Sequence, residues 1–363
     1  EIVWNDDFQI LKYMTNEENY MVSPFSLKMA MMLAANGAEG ETKNEILNTF
    51  GVKDIDSYNE YAKGLIEKYN SMEDVNLNVA NSIWLNEDIA GGNVEFKDSY
   101  KELIEKYYYG KAESEDANEI AAVVNKWIEE KTNNKIKDML NEDEEAKFLA
   151  LLVNTIYFKG QWLEQFDKYF TRKAVFTDRN SKETEIDFMN MTKKFGFYED
   201  ENMKMIRLPY EGNETAMYMV LPTDEEKMDI KSALDKMKSC KVDVSIPKFK
   251  VEYDLSFKEI LKAMGINKSF ERYDAEFKNK MFKGVSEDRN VYVDDVLQKT
   301  FIEVDENGTE AAAATAVIMD MTNSMPMKPE IIKEFKADKP FIYFIMDEET
   351  KEVLFIGEYA FVD

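Results

Sequence analysis

Between Val304 and Ala316 the chain reads Val-Asp-Glu-Asn-Gly-Thr-Glu-Ala-Ala-Ala-Ala-Thr-Ala. Before this stretch, Val291 to Val304 is rich in Val, Ile, Phe and Thr, the residues that suit a pleated sheet. After it, Met319 to Met327 mixes Met, Asn, Ser and Pro as an exposed loop does. A segment of little but Ala and Thr in that position has two physical readings. Alanine is the best helix former, so local propensity favours a short surface helix. The other reading is a segment kept small because it must slide between two strands without collision. Alternate residues of a strand share a face. Thr309, Ala311, Ala313, Thr315 and Val317 would then enter a core, while Glu310, Ala312, Ala314 and Ala316 face outward, with Gly308 as a turning point.

The rest of the chain is regular. Ser23 is an N-cap with Pro24 at the first helical position, and Leu27, Ala30, Met31 and Ala34 follow at helical spacing until Asn36-Gly37. Phe96 to Tyr109 and Ile120 to Met139 read as amphipathic helices. The second carries Ala121, Val124, Trp127 and Ile128 on one face, a stripe for core packing. Strands are expected over Asn76 to Leu85, Phe148 to Phe158, Cys240 to Tyr253 and Val291 to Asp305. Phe148 to Phe158 is apolar on both faces, which suits a central strand covered by helices, and Asn154 interrupts it. A buried amide side chain left unpaired costs on the order of 1–3 kcal/mol, so Asn154 needs partners. Phe341 to Met346 and Val353 to Val362 read as a hairpin.

Composition removes several function classes. A formal net charge of −26 repels phosphate backbones and anionic lipid, so neither nucleic acid nor an acidic membrane is an expected partner. The longest apolar run falls far short of a bilayer span. With no histidine, neither a Ser-His-Asp nor a Cys-His constellation can form, and the usual zinc ligand sets are excluded too. Among 72 Asp and Glu residues, carboxylate pairs are what solvated faces produce, so a glycosidase reading has little to stand on. The single cysteine, Cys240, permits no intramolecular disulfide. A hydrophobic fraction of 44% supports an extensive core, and no linker, repeat or low-complexity stretch divides the chain. Asn213-Glu214-Thr215 and Asn307-Gly308-Thr309 match the N-glycosylation acceptor pattern. The abrupt start at Glu1, within what reads as a first helix, is consistent with a removed leader.

Motifs then accumulate in order. Met21-Val22-Ser23-Pro24-Phe25-Ser26 is followed by Gly37-Ala38-Glu39-Gly40-Glu41-Thr42, and Leu152 to Trp162 by Phe166. Later come Met217 to Pro222, Ile246-Pro247-Lys248-Phe249, Met264-Gly265-Ile266, the Glu306 to Ala316 stretch, Lys339-Pro340-Phe341 and Phe355-Ile356-Gly357. Together they resemble the serpin family from near the first residue to the last.

The resemblance implies an α+β serpin fold with three β-sheets, about eight or nine helices and one domain over residues 1–363, with an exposed reactive-centre loop at about 306–328. It implies a shutter of Ser23, Ser26 and Asn154, with Gln298 where the family has a histidine; glutamine also offers a donor and an acceptor. A breach of Trp162, Lys248 and Glu306 is expected, the last two as an ion pair. The hinge falls on Glu306, Gly308, Thr309, Ala311, Ala312, Ala313 and Ala314, in keeping with the sliding reading of that segment.

The function so implied is inhibition of serine or cysteine proteases as a suicide substrate, without catalysis and without a cofactor or metal. The family's usual spacing from Glu306 places the attacked bond at Thr322-Asn323, with Met321 and Met325 as alternatives. These residues are neither basic nor acidic, which favours elastase-like or subtilisin-like targets. Glu60 to Asn76 carries no basic stripe, so no heparin-type cofactor is expected. The protein is expected to act as a monomer, secreted or at a cell surface. The alternative is a non-inhibitory serpin that serves as a carrier, chaperone or storage protein.

Overall fold

The computed structural model describes residues 7–309 and 331–362. These fall into two compact units. One comprises residues up to Met14, Val22–Tyr157 and Glu252–Phe301; the other Thr15–Met21, Phe158–Val251 and residues from Ile302 on. Among the described residues are three β-sheets, of nine, six and two strands, and nine α-helices.

The six-stranded sheet carries the residues of interest. In chain order its strands are β1 (Val75–Asn86), β2 (Lys111–Glu115), β3 (Ala150–Gln161), β4 (Phe249–Ser256), β5 (Asp295–Val304) and β6 (Gly308–Thr309). Their order across the sheet is β4-β5-β6-β3-β1-β2. β3 and β5 also pair directly and in parallel, from Asp295 opposite Leu151 to Thr300 opposite Ile156. β6 pairs antiparallel with both, Thr309 lying opposite Val304 and Gly160. The expected central strand is thus β3, buried on both faces from Ala150 to Phe158. One face packs on the helix Ile120–Lys131 through a cluster that includes Val124, Trp127, Ile128, Leu151 and Val153, where Trp84 and Trp127 meet edge to face at 6.1 Å.

The Ser-Pro helix forms over Pro24–Asn36 as expected. Ser23 caps it by accepting from Ser26 N–H at 3.0 Å, and Gly37 closes it. Nearly all of it is buried, which an all-round run of Leu, Met and Ala requires.

Two expectations need correction. The helix from Ile120 ends at Lys131 rather than Met139. Thr132 turns its hydroxyl back to the Ile128 carbonyl at 2.8 Å and accepts Ile136 N–H, and Asn133 and Asn134 adopt left-handed φ of 51° and 60°. The stretch Cys240 to Tyr253 is two strands in different sheets, Lys238–Pro247 in the nine-stranded sheet and β4 in the six-stranded one. Pro247 has no N–H to extend a ladder, and the Lys248 N–H goes to the Asp187 carbonyl at 2.9 Å. The first described helix, Asp7–Tyr13, is a 3-10 helix.

Candidate functional site

Two clusters hold the residues singled out by sequence, one in each unit. The first lies where the Ser-Pro helix meets β3 and β5. Register sets Gln298 opposite Asn154. The Gln298 amide accepts from Ser23 N–H at 2.7 Å, and its NH2 donates to the Ser23 carbonyl at 3.2 Å and to Asn154 Oδ1 at 2.7 Å. Asn154 in turn donates to the Ser26 hydroxyl, to the Ser26 carbonyl at 3.3 Å and to Asn81 Oδ1 at 2.6 Å. All five side chains are essentially fully buried. A glutamine therefore bridges the helix start to the strand with the donor and acceptor that a histidine could supply, but without an ionisable ring.

Asn81 on β1 is absent from the set expected from sequence. Its signal is present there: Leu77, Val79, Asn81, Ile83 and Leu85 alternate along the strand with one polar member. Its NH2 has no partner among the described residues.

The second cluster surrounds the start of the small-residue segment. Asp305 Oδ1 accepts from the Asn307 and Gly308 N–H groups at 2.8 and 3.2 Å, an Asx turn that reverses the chain from β5 into β6. Gly308 has φ of 153°, and a Cβ there would come within 2.1 Å of the Gly160 carbonyl oxygen, so only glycine allows this approach. Trp162 clasps the turn. Its indole N–H donates to the Asp305 carbonyl at 3.0 Å, its backbone N–H to the Asn307 carbonyl at 2.8 Å, and its ring stacks on Tyr210 at 4.8 Å. The Tyr210 and Thr309 hydroxyls lie 2.7 Å apart, and burial pushes the phenol's pKa far up, so Tyr210 stays neutral.

Glu306 is the buried charge of this cluster. Its Oε2 is 3.0 Å from the Lys248 ammonium, and Oε1 accepts from the Thr171 hydroxyl at 2.8 Å. Burial resists ionisation, but its own backbone N–H, Lys248 and Thr171 outweigh that and hold the carboxyl below its usual range. Lys248 stands at the break between strands described above, which aims it at Glu306. Thr171 and Tyr210 give no local signal in the sequence, because each meets its partner only through the fold.

Of the expected hinge, Glu306, Gly308 and Thr309 are within the described residues, and Thr309 is 1% exposed. Ala311, Ala312, Ala313 and Ala314 lie outside them, as do Met321, Thr322, Asn323 and Met325. Of the two glycosylation-pattern asparagines, Asn213 is exposed on a turn and Asn307 is buried. Among the described residues no group of His, Cys, Asp or Glu is arranged to hold a metal ion, and no helix is long and apolar enough to cross a membrane.

Comparison with known proteins gives a consistent result. A family model described as serpin (serine protease inhibitor) matches residues 6–361. An uncharacterized serpin-like protein of Methanosarcina acetivorans is 34% identical, over 97% of this chain and 83% of its own. The crystal structure of the thermophilic serpin tengpin in its native state matches with a TM-score of 0.86 at 29% identity, covering 98% of this chain and 92% of that one. Human thyroxine-binding globulin has the same fold, with a TM-score of 0.84 at 21% identity over 98% of this chain and 95% of its own.

Two outcomes follow from the geometry. Gln298→Leu strips Asn154 Oδ1 and the Ser23 backbone of buried partners and should destabilise the protein by at least about 2 kcal/mol, read from denaturant unfolding. Because Glu306 has a depressed folded pKa, its stabilisation is complete above the unfolded value of about 4.3 and is lost as pH falls through the lower folded one. Glu306→Gln should therefore melt below wild type at pH 7, with the gap closing only under acid conditions; a gap independent of pH would remove the charge from the account.

Proposed function

The chain belongs to the serpin family, most of whose members inhibit proteases, and from this we propose that it is itself an inhibitor of serine proteases that works as a suicide substrate. The protease serine attacks the carbonyl of Thr322 in the exposed loop, the amine of Asn323 departs, and an ester joins the two proteins. The freed loop then enters the six-stranded sheet between β3 and β5. About 15 residues of new strand at roughly 3.3 Å each would carry the tethered protease on the order of 50 Å, where its distorted site no longer admits water to the ester.

The observation that supports this reading is the wedge. β3 and β5 pair directly over six residues each, yet β6 already sits between their further ends, and it opens the small-residue segment. Thr309 is buried there. In the same register the fourth residue after Thr309 would reach Thr300 and Ile156, and each one from there on would separate another pair of β3 and β5. Small side chains make that passage sterically cheap, and the strand gains a ladder of hydrogen bonds on both edges. Elastase-like and subtilisin-like enzymes fit the neutral side chains of Met321, Thr322 and Asn323.

The test is incubation with subtilisin or elastase followed by denaturing electrophoresis. Wild type should give a covalent complex that survives denaturation. Thr309→Arg would force a charge into the sheet interior, where it has no partner; the loop should still be cut, while the complex falls at least tenfold. Cleavage of wild type across a protease panel with no complex would move the protein to the carrier class, and an undiminished complex from Thr309→Arg would refute insertion.

A further inference from the structure

The closed region of the seam contains a flaw. Carrying the antiparallel register of β6 onward leads in five steps from Gly160 to Thr155 on β3, and in five from Val304 to Lys299 on β5. Thr155 and Lys299 are partners across the closed seam. Alternation puts Thr155 on the face of Leu151 and Val153, and Lys299 on the face of Leu297 and Phe301. That face is the apolar layer built around Trp84, Trp127 and Ile136.

Into this layer Thr155 brings a hydroxyl that is buried and has no hydrogen-bond partner among the described residues. The side chain across the seam is committed elsewhere. The Lys299 ammonium donates to the Lys137 carbonyl at 2.9 Å and lies 3.4 Å from Glu252 and 3.3 Å from Asp254, both half-exposed on β4. A buried hydroxyl with nothing to bond is a net cost of the state that buries it. When β3 and β5 separate, the hydroxyl meets water or the polar groups of an arriving strand, and that cost is relieved. A valine has the same shape and would carry no such cost.

We propose that Thr155 is a built-in weak point of the seam: its orphaned hydroxyl raises the closed sheet relative to the opened one, and so sets how fast a strand enters. Resting on the inhibitor reading above, it also sets how the acyl-enzyme divides between trapping and release, because strand entry competes with hydrolysis of the ester. Thr155 touches no substrate; it acts through the seam.

Two readouts separate this from the inhibitor reading. The first needs no protease: a synthetic peptide with the sequence of residues 310–322 is added to intact protein, and its incorporation rate is followed on native gels. Thr155→Val should take up peptide about fivefold more slowly than wild type, while Thr155→Ser, which keeps the hydroxyl and loses the methyl, should be at least as fast as wild type. The second is the ratio of cleaved to complexed protein with subtilisin, which should rise about fivefold for Thr155→Val alone. A Val variant as fast as wild type, or a Ser variant slowed equally, overturns the proposal, the latter because packing and not the hydroxyl would then govern. Peptide uptake with the expected ranking but no trapped protease upholds the weak point and sinks the inhibitor reading. Wild type that takes up no peptide sinks both.

Discussion

The direct pairing of β3 with β5 is the constraint on which the rest depends. Leu151 to Ile156 and Asp295 to Thr300 satisfy one another's backbone groups in parallel register, and a parallel ladder is the less stable kind per residue. It closes the centre of the sheet, the position that one more strand would take on the inhibitor reading. Every cluster described above bears on that position. Asn154 and Gln298 tie the closed strands to the start of the Ser-Pro helix, Trp162 and Tyr210 clasp the turn that starts a new strand, and the Glu306–Lys248 pair anchors a residue within that turn. These are polar devices in an apolar setting. Such devices hold one arrangement when fully paired and become costly when a partner is withheld, as at Asn81 and Thr155.

Their chemistry also explains why the chain can dispense with histidine. A glutamine bridging Ser23 and Asn154 keeps the same strength across the physiological pH range, since nothing in it titrates. In the second cluster, against the cost of burial, its own backbone N–H, Lys248 and Thr171 hold the Glu306 carboxyl below its usual range. Neither Gln298 nor Glu306 is thereby a switch of charge near neutrality.

Much of this is legible in the sequence because it is local. The Ser23 cap with Pro24 and the apolar run interrupted by Asn154 follow from turn chemistry and from strand period, and both occupy their expected places. Asn81 can be found from its position in an alternating strand. What no local pattern carries are contacts made across the fold: Tyr210 reaching Thr309, Thr171 reaching Glu306, and the lack of a partner for the Thr155 hydroxyl among the described residues. The helix from Ile120 looks longer in sequence than it is, because apolar spacing continues past Thr132 while the helical backbone does not. The split at Pro247 leaves a mark in the sequence beyond the proline itself: the apolar positions are Val242, Val244 and Ile246 before it and Phe249, Val251 and Tyr253 after it, so the alternation slips by one residue where the chain changes sheet.

On the inhibitor reading proposed above, the intact chain is held short of its most stable state by a seam that a further strand can fill. Thermal melting before and after limited proteolysis near Thr322 tests it most directly, with the cut mapped by mass spectrometry and both fragments shown to remain together. The account predicts that the cut protein melts far above the intact one, because the freed strand adds a full ladder and buries its small side chains. If the intact form already melts too high to compare, the cut form should unfold at the higher denaturant concentration. A cut protein that melts at or below the intact one would contradict the account.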